Sequence, residues 1–181
     1  MNKKFLTIYK VPLLISLTLG IVLVSVDLTR EPIQIATIFL ASLLGTFFLD
    51  LEYVIYAFLM EPNKDFSKTF RSFIKHYDFS NAAQYIEIHK NEIKDKTLNS
   101  ALFQVILAIF AIFVVSSSTQ LFTRALVVSV LANSIYKLIE ARYEGRLEDW
   151  FWALKEKPNQ QGVVIYIGCL LMAMVYCVSS F

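Results

Sequence analysis

The sequence predicts an all-α polytopic membrane protein, a bundle of about five transmembrane helices with two or three amphipathic helices at its cytosolic interface. Five apolar stretches favour this class, near residues 11–28, 33–60, 99–117, 120–139 and 163–178. Each can cross a hydrocarbon core about 30 Å thick at ~1.5 Å per helical residue. Hydrophobic residues make up 56% of the chain and charged residues only 18%, whereas soluble domains carry about 25% charged residues. We therefore expect one integral membrane domain over residues 1–181.

The positions of lysine and arginine predict the orientation. The N-terminal tail, the segment 61–98 and the segment 137–160 together hold all of the 17 basic residues except Arg30 and Arg124. If five helices alternate from a cytosolic N-terminus, all three basic segments face the cytosol, as the positive-inside rule requires. The pattern indicates a multi-pass protein of a bacterial-type inner membrane, with its N-terminus in the cytosol and its C-terminus outside.

The first two apolar stretches differ in length. The first follows Lys3 and Lys4 and is longer than the apolar core of a cleaved signal peptide, so we expect a retained anchor helix. The second would measure about 42 Å as one helix, and Asp50 and Glu52 interrupt it near the cytosolic headgroups. We expect this second helix to project, tilt or bend at that level.

The segment 62–98 shows two amphipathic patterns. One apolar stripe lies opposite lysine and arginine, and a second follows Ser80 or Asn81, either of which could be its N-cap. We expect these helices to rest on the cytosolic leaflet or under the bundle and to attract anionic lipid. The predicted partners are the bilayer, anionic lipids and a membrane-protein partner or second copy, but no nucleic acid. The first stripe contains Phe66, Phe70, Phe73, Ile74 and Tyr77, and the second Ala82, Tyr85, Ile86, His89 and Ile93.

The last three apolar stretches have clear boundaries. Residues 116–120 are too few for anything except an antiparallel hairpin, and Gly145 is a predicted helix stop. The pair Trp150 and Trp152 is expected at the membrane–water boundary, and residues 158–162 form a turn before the last span. Cys169 and Cys177 are expected to pack as small residues in that span.

Polar residues on the second and fourth stretches predict a pocket near the cytosolic face. Asp50 and Tyr53 share one helix face, and Glu52 and Tyr56 the neighbouring one. On the fourth stretch, residues at positions i, i+3, i+4 and i+7 reach the same side. If the two helices touch, the pocket consists of Asp50, Glu52, Tyr53, Tyr56, Asn133, Tyr136, Lys137 and Glu140.

Two interpretations of this pocket remain open. It is either a site in which Asp50 and Glu52 work with His76 or His89 in acid–base or metal chemistry, or a structural ion pair between Asp50 and Lys137. An enzyme requires the carboxylates to converge with a histidine, whereas a structural role requires Lys137 to occupy that space.

The stretch Gly45-Thr-Phe-Phe-Leu-Asp50-Leu-Glu52-Tyr53 resembles the signature G-x-x-x-P-D-x-D-H of small bacterial membrane-bound metal-dependent hydrolases. In that family a later helix carries H-x-x-x-D, and the stretch 131–152 falls where that helix would be. The resemblance implies that Asp50 and Glu52 match the acidic pair. It also places Tyr53 and Asn133 where histidines are expected, and Lys137 where the distal carboxylate is expected. These replacements weigh against a bound divalent metal.

No complete catalytic or cofactor motif is present, and we expect neither a cofactor nor a metal. The sequence favours a non-enzymatic scaffold, or a lipid- or partner-binding bundle, with a polar pocket near the cytosolic face. The alternative is a membrane-embedded hydrolase that acts on a lipid phosphoester at the inner leaflet. Transport ranks third, because no polar column is evident from Asp50 toward the outer face.

Overall fold

The computed structural model describes residues 3–28, 31–90, 93 and 97–181, with the backbone alone for residues 3–6. Throughout these residues the regular secondary structure is helical. The elements are α1 (Lys3–Asp27), α2 (Pro32–Phe48), α3 (Leu51–Ile55), a π-helical segment (Tyr56–Met60), α4 (Asp65–Lys75), α5 (Phe79–His89), α6 (Ala101–Ser117), α7 (Leu121–Tyr143), α8 (Leu147–Trp150) and α9 (Gln160–Ser179).

Three helices are long and apolar enough to cross a membrane, namely α1 over Thr7–Asp27, α7 and α9. A fourth crossing results if α2 and the following segment Leu51–Met60, which are bent by 49°, count as one span. Helix α6 is also apolar but has only 17 residues. The all-helical class is therefore confirmed, with fewer spans established than the five predicted.

The predicted stretch 33–60 is not one continuous helix. The α-helix ends at Phe48, residues 49 and 50 form a turn, and a new helix begins at Leu51. Past Ile55 the helix widens, since the backbone N–H of Glu61 donates to the carbonyl of Tyr56 at 3.0 Å, five residues back. Of projection, tilt and bending, the structure shows the bend. Asp50 lies in the turn between α2 and α3.

Helix α7 is central and packs against α1, α2, α6 and α9. Its closest neighbour is α2, because Gly45 has no side chain to hold the helices apart. A Cβ atom at Gly45 would lie 2.6 Å from Cβ and 2.5 Å from Oγ of Ser129. The core around α7 includes fully buried Ile38, Leu131 and Leu138.

Helices α4 and α5 form a second, smaller core with α3 and the π-helical segment. Phe66 and Phe70 are buried there, with their ring centroids 5.9 Å apart. Two details differ from the sequence prediction. Tyr77 lies beyond the end of α4 and is 81% exposed, and the N-cap of α5 is Asp78, whose Oδ1 accepts from the N–H of Asn81 at 3.2 Å.

The connection after α7 contains the predicted helix stop at Gly145, but its two tryptophans do not lie together. Gly145 has a φ of +70° directly after α7 ends, which is the left-handed stop expected. Trp150 is buried and its Nε1 donates to Oε1 of Gln104 at 3.3 Å, while Trp152 is exposed. The indole of Trp150, unlike that of Trp152, is buried because it fills the space beside the buried amide of Gln104. Cys177 packs in the core and Cys169 is exposed.

The helices alternate in direction, as contacts at the two ends of the bundle show. One end of the bundle holds the starts of α6 and α9, and we call it the cleft end. There the hydroxyl of Tyr166 in α9 donates to the carbonyl of Ala101 in α6, at 3.1 Å. At the opposite end, Arg124 at the start of α7 donates to the carbonyl of Ser180 after α9, at 2.7 Å. The outer faces of α1, α2, α6 and α9 expose large apolar side chains such as Ile109, a surface that suits lipid rather than water.

Candidate functional site

A polar cleft opens at the cleft end, where α1, α3, α5, α7 and α8 meet. Its cavity volume is about 90 Å³, and the cleft opens to solvent at its mouth. The charged residues that line it are Asp50, Glu87, Lys90, Lys137, Glu140, Arg146 and Asp149, and the aromatic ones are Tyr9, Tyr53, Tyr136 and Trp150. The cleft thus combines both signs of charge with aromatic side chains.

Each carboxylate oxygen of Asp50 accepts a hydrogen bond. Lys137 Nζ lies 2.5 Å from Oδ1, and the hydroxyl of Tyr9 donates to Oδ2 at 2.7 Å. The side chains of Asp50 and Lys137 are only 17% and 18% exposed. The bend after α2 places the carboxylate between α1 and α7, so that one anion connects three helices. The contact with Tyr9 was not predicted from the sequence.

Glu52 points away from the cleft and is not part of its lining. Its carboxylate is buried and accepts from the backbone N–H groups of Leu98 and Asn99, at 2.8 and 3.2 Å, and from Nδ2 of Asn99 at 2.5 Å. Two residues apart on a helix lie on different faces, so Asp50 and Glu52 cannot share one small site here. Glu52 instead fixes the chain that enters α6.

A second charged group forms the rim of the cleft around Lys90. Its Nζ lies 2.8 Å from Glu87, 2.9 Å from Glu144 and 3.8 Å from Glu140. Arg146 also binds the carboxylate of Glu144. Burial alone would lower the pKa of Lys90, but hydrogen bonds to Glu87 and Glu144 outweigh it and raise that pKa. Sequence spacing places Glu140 and Glu144 on one face of α7 but does not predict that α5 lies beside them.

Tyr56 and Asn133 also lie outside the cleft, contrary to the predicted pocket. The hydroxyl of Tyr56 accepts from Nζ of Lys64 at 3.0 Å, because the π-helical segment turns that side chain toward α4. Asn133 is one helical turn deeper than Lys137, and its Nδ2 donates to Ser16 Oγ at 2.9 Å. Of the eight predicted pocket residues, the cleft lining includes Asp50, Tyr53, Tyr136, Lys137 and Glu140.

A buried polar cluster lies beneath the cleft, where the sequence indicated only apolar contacts. Ser16 Oγ lies 2.7 Å from Thr46 Oγ1, and Ser129 Oγ donates to the carbonyl of Ser42 at 2.6 Å. These residues are at most 1% exposed. Thr46 and Ser42 precede Asp50 by four and eight residues, and Asn133 and Ser129 precede Lys137 by the same intervals. The cluster therefore extends about two helical turns from the level of the ion pair. That shared spacing was the available signal.

The histidines do not join Asp50 and Glu52. His76 is exposed at the end of α4, where its Nδ1 lies 2.7 Å from the carbonyl of Ser72. The ring of His89 lies 4.1 Å from that of Tyr85, in the small core of α4 and α5. Within the described ranges, no three His, Cys, Asp or Glu side chains are grouped as a metal site requires.

Comparison with known proteins yielded no match among family models, curated proteins or solved structures. The resemblance to membrane-bound hydrolases therefore depends on the quoted stretch alone. In the later stretch 131–152, Lys137 stands where the resemblance places the distal carboxylate, and the structure brings its ammonium group to Asp50.

Proposed function

We propose that α1, α2, α6, α7 and α9 all cross a bilayer, with the cleft end in the cytosol. The contacts at the two ends of the bundle support this topology, because the starts of α6 and α9 lie at one end and the start of α7 lies at the other. Helix α6 spans about 25 Å, near the lower limit for a crossing, and its exposed Ile106, Ile109 and Phe113 suit a lipid-facing surface. The basic segments then all lie on the cytosolic side, as in an inner membrane of bacterial type.

We further propose that the chain is a non-enzymatic scaffold rather than a hydrolase. The contact of 2.5 Å between Lys137 and Asp50 carries this proposal. A cation in that position neutralises the carboxylate that a hydrolase would use, and its charge repels a divalent metal. Glu52 is likewise engaged by the chain before α6. Both carboxylates therefore have contacts that hold helices together.

The cleft is proposed to bind the headgroup of a lipid that carries an ammonium group. Lys137 pairs with Asp50, and Lys90 lies closest to Glu87 and Glu144. Glu140 is the more distant acid from Lys90, at 3.8 Å. It can accept a second cation, and Tyr136 beside it offers a ring face.

The test combines three measurements on the purified full chain. We expect no stoichiometric divalent metal, no phosphoesterase activity, and a zwitterionic phospholipid retained in native mass spectra. Glu140→Gln should weaken lipid retention, whereas Glu156→Gln makes the same charge change at an exposed position and should not.

Each contrary result identifies a different function. Metal-dependent phosphoesterase activity that Asp50→Ala abolishes would establish the hydrolase. A co-purifying membrane protein, without retained lipid, would establish a partner-binding scaffold. Equal lipid loss in Glu140→Gln and Glu156→Gln would remove the cleft as the lipid site.

A further inference from the structure

A basic groove separate from the cleft lies between the π-helical segment and α4. Phe58 and Ile74 contribute apolar walls, and Lys68, Arg71 and Lys75 contribute the charge. The three basic residues recur at i, i+3 and i+7, so they share one face of α4. The remaining lining residues are Ser72 and His76. No carboxylate is among the described residues that line the groove.

Arg71 is held in place at the centre of this groove. Its guanidinium donates to the carbonyl of Pro62 and, through Nε, to the carbonyl of Ser67 at 3.3 Å. It also lies 6.0 Å from the ring centroid of Phe58. These contacts fix the cation without neutralising it, because carbonyl oxygens and rings carry no formal charge. The nearest carboxylate to Lys68 is that of Asp65, at 3.6 Å between two exposed side chains, which is a weak pair.

Apolar side chains continue the groove outward. Leu59 is 76% exposed, Met60 is 53% exposed and Phe58 is 46% exposed, all in the π-helical segment. A site for a free anion has no need of such a rim, but a phospholipid brings acyl chains together with its phosphate. The juxtaposition of three cations and an exposed apolar segment therefore favours lipid over inorganic phosphate.

We propose that this groove binds the phosphate headgroup of an anionic phospholipid of the cytosolic leaflet. Arg71 and Lys75 contact the phosphate oxygens, Lys68 adds charge at the rim, and Phe58 and Leu59 contact the acyl chains. The inference rests on the proposed membrane placement of the cleft end. The groove lipid is anionic, whereas the lipid proposed for the cleft is zwitterionic, and the two sites lie at different places on the molecule.

The test is a lipid titration of the detergent-solubilised full chain, followed by native mass spectrometry. The probes are phosphatidylglycerol, phosphatidylethanolamine and inorganic phosphate. We expect Arg71→Gln/Lys75→Gln to weaken phosphatidylglycerol binding roughly 10- to 30-fold, since each basic residue contributes about 1 kcal/mol. The same variant should leave phosphatidylethanolamine binding at the cleft unchanged. The matched control is Arg142→Gln/Lys155→Gln, which removes one arginine and one lysine at exposed positions on the same end. It should change binding less than about 2-fold.

A second variant protects the test against misfolding. Lys68→Gln/Lys75→Gln leaves the carbonyl contacts of Arg71 intact and should still weaken phosphatidylglycerol binding. Equal loss in the groove and control variants would overturn the proposal in favour of diffuse attraction. Equal loss of phosphatidylethanolamine and phosphatidylglycerol binding in the groove variants, or competition by inorganic phosphate at the lipid's own affinity, would also overturn it. Retention of the cleft lipid in every groove variant would show that the proposed function stands even if this site fails.

Discussion

The ammonium nitrogen of Lys137 lies 2.5 Å from Oδ1 of Asp50, and this contact joins the cleft ends of α7 and α2. Tyr9 adds α1 to the same carboxylate. The three helices therefore meet on one anion, directly above the buried cluster of serine, threonine and asparagine. Loss of either charge leaves its partner uncompensated in a largely buried place.

Replacement of Lys137 should destabilise the bundle. Lys137→Met leaves the Asp50 carboxylate unpaired, which should cost roughly 3 kcal/mol of the free energy of unfolding. Asp50→Asn/Lys137→Met should recover at least half of that loss, because neither member of the pair is then charged. Reversible unfolding in mixed detergent micelles measures both. The control is Lys157→Met, whose pair with Glu148 is exposed and should contribute nothing measurable. A double variant as unstable as the single one would argue against the ion pair.

The carboxylate of Glu52 should hold the chain before α6 in place. Glu52→Gln replaces one acceptor oxygen with an amide donor that faces the N–H groups of Leu98 and Asn99. We expect a loss of about 2 kcal/mol and faster amide hydrogen exchange at residues 98 and 99. Exposed Glu156→Gln is the matched control. Unchanged exchange at these two amides would show that Glu52 does not fix this segment.

The close approach of α2 and α7 depends on Gly45. In Gly45→Ala the new methyl group would clash with Ser129 and lie 3.1 Å from the backbone nitrogen of Val130. We expect a loss of about 1–3 kcal/mol. Gly168→Ala on α9 meets no atom within 4 Å and should be neutral or stabilising, since alanine favours helix. Thermal unfolding compares the two, and a neutral Gly45→Ala would contradict the tight packing of α2 on α7.

The carboxylate of Glu144 at the rim of the cleft should make stability fall in acid. Partial burial would raise the pKa of Glu144, but hydrogen bonds from Lys90 and Arg146 outweigh it and lower the pKa below 4.5. A lowered pKa stabilises the fold above pH 4.5, and this contribution disappears as the pH falls through the lowered value. Glu144→Gln should therefore be less stable at pH 7 yet lose less stability between pH 6 and pH 3. Identical acid profiles for Glu144→Gln and the parent chain would contradict this account.

The sequence was sufficient for features that depend on local physics. The positions of the long apolar helices follow from hydropathy, and the end of α7 follows from Gly145. The bend at Asp50 was one of three expected outcomes, because a charged residue cannot continue an apolar span without a change in direction or depth. These features depend on one segment and its solvent.

Features that depend on pairing between distant segments could not be predicted from the sequence. Nothing near Glu52 indicates that it binds Asn99, 47 residues later. The sequence therefore suggested that this carboxylate is half of an acidic pair. In the structure it binds residues 98 and 99, which lead into α6. Likewise, Lys90 contacts Glu144 across 54 residues, and only the packing of α5 beside α7 brings the two together. The buried Ser16 was missed because a single serine in an apolar helix has no distinctive pattern.

Cysteine accessibility in sealed membrane vesicles tests the membrane topology most directly. In a Cys169→Ser/Cys177→Ser background, single cysteines replace Asp65, Thr119 or Glu156, all at exposed positions. An impermeant maleimide should label positions 65 and 156 from the cytosolic face alone and position 119 from the opposite face alone. Labelling of 65 and 119 from the same face would show that α6 does not cross the bilayer. Labelling of 65 and 156 from opposite faces would contradict the account as a whole, because the cleft could not then assemble at one membrane surface.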